Sequence, residues 1–133
     1  MEIQAMVYNV YYDELSKYVV MQWQGYANSN EFREGTELML NTLISNKCSK
    51  VLADISKMVL ISQEDQRWLE TNFLPRAIRF GFGKIALIRP DSYFNKVAVE
   101  TINSKIDKGK LIFEIFDSVE DAKIWLTKED VVS

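Results

Sequence analysis

The stretch VLADISKMVLISQED, residues 51–65, holds a short apolar run, a loop and the first turn of a helix. A continuous apolar run such as Val51–Ile55 is typical of a strand that is buried on both faces of a parallel sheet. Ser62 then precedes Glu64 and Asp65, and this order is typical of a helix N-terminus, where a hydroxyl caps the first turn and acids suit the helix dipole. The stretch therefore predicts a strand that leads through a loop into a helix.

Upstream of this stretch, two segments rich in β-branched and aromatic residues predict a hairpin. They span residues 3–12 and 17–26 and are joined by the short turn DELS. The second segment alternates apolar and polar side chains, so one face of its strand should be partly exposed to solvent. An Asn-Ser-Asn cluster at residues 28–30 then supplies the N-cap of a helix over about residues 31–47.

The helix that begins after Ser62 should have one buried stripe. Its apolar residues recur at helical spacing, and the stripe consists of Leu69, Phe73, Ala77 and Phe80. Pro75 lies inside this helix, so we expect a kink or a restart of the helix there. Gly81 follows the stripe and suits a C-cap, because glycine readily adopts the left-handed backbone that ends many helices.

The remaining chain predicts two strands and two helices. KIALI at residues 84–88 and KLIFEIF at 110–116 predict buried strands, and residues 92–105 predict a helix between them. The inward side chains of that helix should be Phe94, Val97, Ala98 and Ile102. Ser118, with Asp121 three residues later, caps a final helix.

The predicted order of elements is β-β-α-β-α-β-α-β-α. Strands that alternate with helices after an opening hairpin indicate an α/β fold with a mostly parallel five-stranded sheet and an N-terminal antiparallel hairpin. The chain has 133 residues, with few glycines and prolines and no linker-like segment. We therefore expect one domain over residues 1–133.

The composition excludes several kinds of chemistry. The chain has no histidine, which removes the Ser-His-Asp and Cys-His nucleophile systems, and its one cysteine leaves too few ligands for a Cys/His zinc site. A single cysteine also excludes an internal disulfide, which fits a cytoplasmic location. No run approaches the ~20 apolar residues that a membrane span needs. We therefore predict a cytoplasmic protein without enzyme activity, catalytic residues, metal, cofactor or membrane span.

Two patterns that could bind phosphate groups have simpler explanations. The segment Gly81–Lys84 reads GFGK, but it ends a helix and enters a strand, whereas a phosphate loop follows a strand and begins a helix. Residues 76–110 carry eight lysines and arginines against three acids. That balance also fits the solvated faces of helices, so we predict no nucleic-acid partner.

Asp54 is the acid in the most distinctive position. It lies near the carboxyl end of a strand that should be central, and ligands of open α/β sheets bind beyond such ends. The alternative is that its carboxylate accepts hydrogen bonds from loop N–H groups around Ser56 and Lys57. An enzyme that uses Asp54 with a lysine and a tyrosine is a further alternative, but nothing in the sequence requires it.

The chain resembles the STAS domain, the fold of bacterial anti-sigma-factor antagonists, in its SpoIIAA-like branch. The resemblance lies in the element order and in WQGYANSNEFREG, LADISKMVLISQEDQRWLETNFLPRAIRFG and VEDAKIWL, which look like the small stand-alone STAS/SEC14-like proteins of bacteria. In antagonist STAS domains, a D-L-S-type segment ends this strand and D-S-S-G opens the next helix, where the second serine is phosphorylated by a partner kinase. Without gaps, Asp54–Ser56 matches the first segment and Ser62–Asp65 falls on the second, so Glu64 occupies the acceptor position and the acceptor serine is absent.

The resemblance implies a non-catalytic regulatory or protein-interaction module that binds a protein partner. Its contact residues would lie in the loop and helix after the strand, at Asp54, Ser56, Lys57, Ser62, Gln63 and Glu64. The SEC14-like relatives imply an alternative, a module that binds a lipid or small apolar ligand. Such a ligand would be lined by Phe73, Phe80, Phe82 and Phe94.

The opening hairpin also predicts self-association. Its tyrosines would form an adhesive patch if one face of the hairpin is uncovered, and they are Tyr8, Tyr11, Tyr12 and Tyr18. Homodimers are the commonest way to cover such a face. We therefore predict a homodimer.

Overall fold

The computed structural model describes residues 7–128 as a five-stranded sheet with three helical connections and a helix after the last strand. The strands are β1 (Tyr8–Asp13), β2 (Tyr18–Gly25), β3 (Lys50–Met58), β4 (Lys84–Ile88) and β5 (Ile112–Phe116). They lie side by side in chain order, with β1 antiparallel to β2 and every later pair parallel. This confirms the predicted fold class. The predicted residues 3–6 of the first strand and 129–133 of the domain lie outside the described residues.

The helices cover the two faces of the sheet unequally. They are α1 (Ser29–Ser45), α2 (Gln63–Trp68), a π-helical turn (Leu69–Phe73), α3 (Leu74–Arg79), α4 (Tyr93–Lys105) and α5 (Val119–Thr127). Because the parallel strands step in one direction and such crossovers are right-handed, the helices up to α4 lie on one face. The opposite face has a smaller core, which α5 covers with Ala122 and Leu126.

Local capping explains where the helices begin and end. Ser62 and Ser118 accept hydrogen bonds from the N–H groups of Asp65 and Asp121, as predicted. The helix containing Pro75 restarts at α3, directly after the π turn, with the proline in its first turn. Gly81, at φ +109°, ends α3 in the left-handed conformation that glycine allows.

Three predicted buried positions are wrong, one because its helix ends early and two because a polar residue sets the buried face of the helix. Phe80 is 59% exposed, since α3 ends at Arg79 and Phe80 is its C-cap, outside the stripe. On α4 the buried face is Asn95, Ala98, Val99 and Ile102. An inward Asn95 turns the helix by about one residue, or 100°, from the expected stripe, so Phe94 and Val97 face outward.

The hairpin is also more buried than its pattern suggests. On the face of β2 that the sequence predicts to be partly exposed, only the side chains from Gln22 onward are exposed to solvent. Tyr18 and Val20 lie on the same face but are covered by α5. Lys50 and Lys84, which are register partners on β3 and β4, hold that helix in place. Their ammonium groups donate to the carbonyls of Leu126 at 3.0 Å and Trp125 at 3.5 Å, where cations suit the end of the helix dipole.

The predicted tyrosine patch is therefore reduced to one exposed ring. Tyr8 and Tyr18 are buried and Tyr12 is half-buried, whereas Tyr11 is 43% exposed on β1. Tyr8 and Trp23 pack so closely on α1 that a Cβ at Gly35 would lie 2.6 Å from the Trp23 ring.

Candidate functional site

The carboxyl ends of two adjacent parallel strands form one edge of the molecule. β3 ends at Met58 and leads to α2 at Gln63, while β4 ends at Ile88 and leads to α4 at Tyr93. Loops and helix N-termini therefore meet at this edge, which is where open α/β sheets bind their ligands.

Asn95 fixes the loop between β3 and α2. Its side chain is fully buried, with Oδ1 accepting from the N–H of Ile61 at 2.9 Å and Nδ2 donating to the carbonyl of Met58 at 2.8 Å. The N–H of Asp91 also donates to the carbonyl of Ser56 at 3.3 Å. A fully satisfied buried amide holds a loop in one conformation, so the side chains that this loop presents are well positioned. The apolar periodicity of α4 predicts a different inward face and places Asn95 at the surface, so the sequence pattern gives no signal for this buried amide.

Large apolar side chains surround this fixed loop and face solvent. We call Leu60, Tyr93, Phe94 and Val97 the apolar rim, and between 42% and 72% of each residue is exposed. The rings of Tyr93 and Phe94 pack edge to face with their centroids 6.0 Å apart. Contiguous exposed apolar surface of this kind commonly marks an interaction site.

A groove of about 680 Å³ runs between α2 and α4 behind the apolar rim. Ile61 and Ala98, both buried, contribute to its lining. Its far end is polar, with Lys105 Nζ lying 3.1 Å from Glu70 Oε2. Arg67 also lines the groove but has no carboxylate within 4.0 Å among residues 7–128.

The predicted contact residues do not form one surface. Because side chains alternate along β3, Asp54 and Ser56 lie on the sheet face opposite the α2–α4 groove. The N–H and hydroxyl of Ser56 donate to Asp54 Oδ1 at 3.1 and 2.7 Å. These hydrogen bonds match the alternative in which the Asp54 carboxylate accepts from N–H groups around Ser56. Asp54 and Lys57 line a separate shallow pocket with Gln22 and Gln24.

The other three predicted contacts lie on α2 but on two of its sides. Ser62 and Gln63 line the groove. Glu64 points toward α1, where its Oε1 lies 3.5 Å from Arg33 Nη2.

Arg33 connects α1 to α2 through more than this surface pair. Its Nε lies 3.4 Å from Oδ1 of the buried Asp65, and its guanidinium lies 5.3 Å from the ring centroid of Trp68. Asp65 also accepts a hydrogen bond from the hydroxyl of Ser29 at 3.1 Å. Asp65 is therefore a buried structural acid, although its sequence position indicates only a helix cap.

An internal cavity of about 100 Å³ lies between the sheet and the helices of the more covered face. All its lining side chains are apolar, and the π turn supplies Leu69 and Phe73. Of the predicted ligand-lining residues, Phe73 and Phe82 lie here. Phe94 instead lines the groove, because the buried face of α4 is set by Asn95. Phe80 lines neither the cavity nor the groove, because α3 ends at Arg79.

Two predicted kinds of site, a metal site and a basic stretch, can be compared with the described residues. No three acidic or cysteine side chains within residues 7–128 come together as ligands for a metal ion. In the basic stretch, Arg89 pairs with Asp117 at 2.7 Å, Arg76 pairs with Glu37, and Lys84 is buried. Across the described part of the chain, every helix is too short or too polar to cross a membrane.

The fold is similar to those of two solved structures. One is an uncharacterized protein from the DUF3478 family with a SpoIIAA-like fold, from Shewanella loihica PV-4, at 18% identity and a TM-score of 0.62, covering 95% of this chain and 97% of that chain. The other is the anti-sigma factor antagonist SpoIIAA in its unphosphorylated form, at 12% identity and a TM-score of 0.55. The match covers 88% of this chain and 94% of that chain. No protein-family model and no curated protein matches the sequence. At these identities the likeness shows the fold, and the expected SpoIIAA-like fold is confirmed.

Proposed function

We propose that this SpoIIAA-like fold serves as a non-catalytic regulatory module of the cytoplasm that binds a protein partner. The contact surface is the apolar rim together with Ser62 and Gln63 at the start of α2. The observation that supports this most strongly is that the apolar rim is exposed around a loop that Asn95 holds in place.

The physical reason is preorganisation. Association loses less free energy when the contacting side chains are already ordered in the unbound protein. Interfaces are also enriched in aromatic side chains at their centres, and Tyr93 and Phe94 supply two of them here. Of the six predicted contacts, the proposed surface keeps Ser62 and Gln63, because these two line the groove.

The proposal does not require a phosphorylation switch at Glu64. This residue occupies the acceptor position of the antagonist pattern, is largely exposed and lies 3.5 Å from Arg33. A glutamate supplies one negative charge, whereas phosphoserine supplies nearly two. Ser62 already accepts the N–H of Asp65 at 3.1 Å as an N-cap, so we propose that neither position is regulated by a kinase.

Site-specific photocrosslinking in the source cell tests the contact surface. A photoreactive residue at Gln63 should give a discrete crosslinked adduct, because Gln63 lines the groove beside the apolar rim. The same residue at Lys123, exposed on α5 across the sheet, is the matched control and should give none. Equal adducts from both positions, or none from Gln63, would contradict the proposed surface.

A second candidate function is the binding of a small apolar ligand in the internal cavity. The observation that favours it is a cavity of about 100 Å³ without a polar lining side chain. Apolar cavities of roughly this size accept molecules such as benzene or xenon. Drug-sized ligands occupy about 300–1,000 Å³, so a whole lipid would require the cavity to open.

Native mass spectrometry tests this second candidate. Protein purified from its source should carry an apolar molecule, and Val99→Phe, which fills the cavity, should release it. A bare protein mass in the wild type across several preparations would exclude a retained ligand.

Self-association through the hairpin is a further part of the proposal. β1 is an edge strand that presents Tyr11 to solvent, and an uncovered edge can pair with a second copy. Light scattering at high protein concentration should give a dimeric mass, and a monomeric mass would refute the dimer.

A further inference from the structure

We infer that the groove between α2 and α4 receives an amphipathic helix of the partner, oriented so that an acidic side chain of that helix reaches Arg67. This inference rests on the proposed function and adds the chemistry of the partner.

The groove has the length of a short helix. α2 and α4 both begin beyond the carboxyl ends of adjacent parallel strands, so they run in the same direction. Along α4 the groove is lined from Phe94 to Lys105. These eleven residue steps span about 16 Å at 1.5 Å each, which corresponds to about three turns of a bound helix.

The cross-section of the groove also suits a helix. Ala98 lines the groove with a short, buried side chain, so α4 adds little bulk at that point of the groove. The exposed side chains of Leu60, Tyr93 and Phe94 border the groove where it meets solvent. A helix lying in such a groove buries one apolar stripe and leaves its polar face in water.

The two ends of the groove differ in chemistry. Leu60, Tyr93 and Phe94 make the end at the helix N-termini apolar, whereas charged residues follow further along the groove, with Arg67 about one turn along α2 and Glu70 and Lys105 beyond it. Glu70 neutralises one cation through its pair with Lys105 at 3.1 Å. Arg67 then remains without a carboxylate partner within the described part of the chain.

Charge complementarity therefore selects the occupant. The bound helix would place its apolar side chains at the apolar rim and an aspartate or glutamate further along, near Arg67. That acid would give Arg67 the carboxylate that residues 7–128 do not provide. A carboxylate can pair with a guanidinium through two parallel hydrogen bonds. A neutral acyl chain would leave this cation without a partner, so the groove favours an acidic amphipathic helix over an uncharged lipid tail.

Selection from a displayed library of 16-residue helical peptides on the immobilised full chain tests the inference. The selected peptides should share an apolar stripe at i, i+4 and i+7 with an aspartate or glutamate near one end. A synthetic peptide of the commonest sequence should bind at least about tenfold more weakly to Arg67→Glu and to Phe94→Ser, which corresponds to 1.4 kcal/mol. Arg79→Glu, an exposed arginine outside the groove, is the matched charge control and should bind like the wild type.

Three results would overturn the inference. Selected peptides without an acid, or with equal affinity for Arg67→Glu, would remove the charge argument. Sedimentation with vesicles of phosphatidylcholine and phosphatidylglycerol that depends on Phe94 would make a membrane the occupant. A dimer in the wild type that Phe94→Ser converts to a monomer would make a second copy the occupant.

Failure of this inference and failure of the proposed function give different results. If the Gln63 adduct forms and is lost in Phe94→Ser but persists in Arg67→Glu, the partner binds at the apolar rim but not through an acidic helix in the groove. If no adduct forms at Gln63, the proposed function fails whatever the peptides do.

Discussion

The internal cavity and the open groove are both bordered by apolar side chains of the same helices, yet they differ in what surrounds those side chains. The cavity is enclosed by apolar residues that the sheet and helices bury, including Phe73 and Phe82. The groove exposes Phe94 and Val97 beside charged residues. Asn95 accounts for this difference on α4. Because its buried amide faces the core, the neighbouring side chain of Phe94 faces solvent.

This difference shows how one helix can serve two purposes. The apolar side chains of α4 that face the cavity contribute to the free energy of folding through burial. Those that face the groove remain available to a partner. Substitutions on the two sides should therefore affect different measurements: stability on the cavity side and binding on the groove side.

Replacing Phe73 should have the largest effect on stability. Phe73 is 1% exposed and lines the cavity, so Phe73→Ala enlarges an existing void and should lower the free energy of unfolding by about 3–5 kcal/mol. Urea unfolding followed by circular dichroism measures this. Phe94→Ala is the matched control and should change stability by less than about 0.5 kcal/mol, because Phe94 is exposed. Similar losses for both variants would show that the groove side chain is part of the core.

Removing the amide of Asn95 should have the next largest effect. Asn95→Ala leaves the N–H of Ile61 and the carbonyl of Met58 buried without their partner, and we expect a loss of about 2–4 kcal/mol. Hydrogen exchange should also show faster exchange at the Ile61 amide. Asn41→Ala, at an exposed position on α1, is the control and should be close to neutral. Unchanged exchange at Ile61 would mean that the loop is held by other contacts.

The smallest expected effect is the pH dependence that Tyr8 contributes on the covered face. Burial raises the pKa of Tyr8 above its ordinary value, and the nearby Glu34 raises it further. The stability linked to a raised pKa is present below the unfolded value of about 10 and is lost as pH rises through the folded value. The stability difference between wild type and Tyr8→Phe should therefore fall between pH 8.5 and 11. A constant difference in unfolding experiments over this range would contradict it.

Much of the fold follows from local signals in the sequence. The serine caps at Ser62 and Ser118, the glycine at Gly81 and the apolar strands β3 and β4 are fixed by residues close to one another in the chain. The element order could be predicted for that reason. Burial on β2 could not, because it depends on α5, which packs on that strand from the far end of the chain. The prediction that the last strand is buried is wrong, because β5 is an outer strand of the sheet and none of its residues is fully buried.

The candidate site was predictable only in part because adjacent residues can face opposite sides. Asp54 and Ser62 belong to one short stretch, but strand alternation turns Asp54 to the face away from the groove. The direction of Phe94 depends on the buried amide of Asn95, which periodicity assigns to the surface. Phe80 leaves the buried stripe because α3 ends one residue before it.

The most direct test of the central claim is the yield of the Gln63 photocrosslink in two backgrounds. The claim is that the protein binds a partner through the apolar rim and the groove behind it. Introducing Phe94→Ser removes one of the two exposed aromatic rings of that rim without disturbing the core, so the yield of the adduct should fall by about tenfold. An adduct of the same mass and the same yield in both backgrounds would contradict the claim.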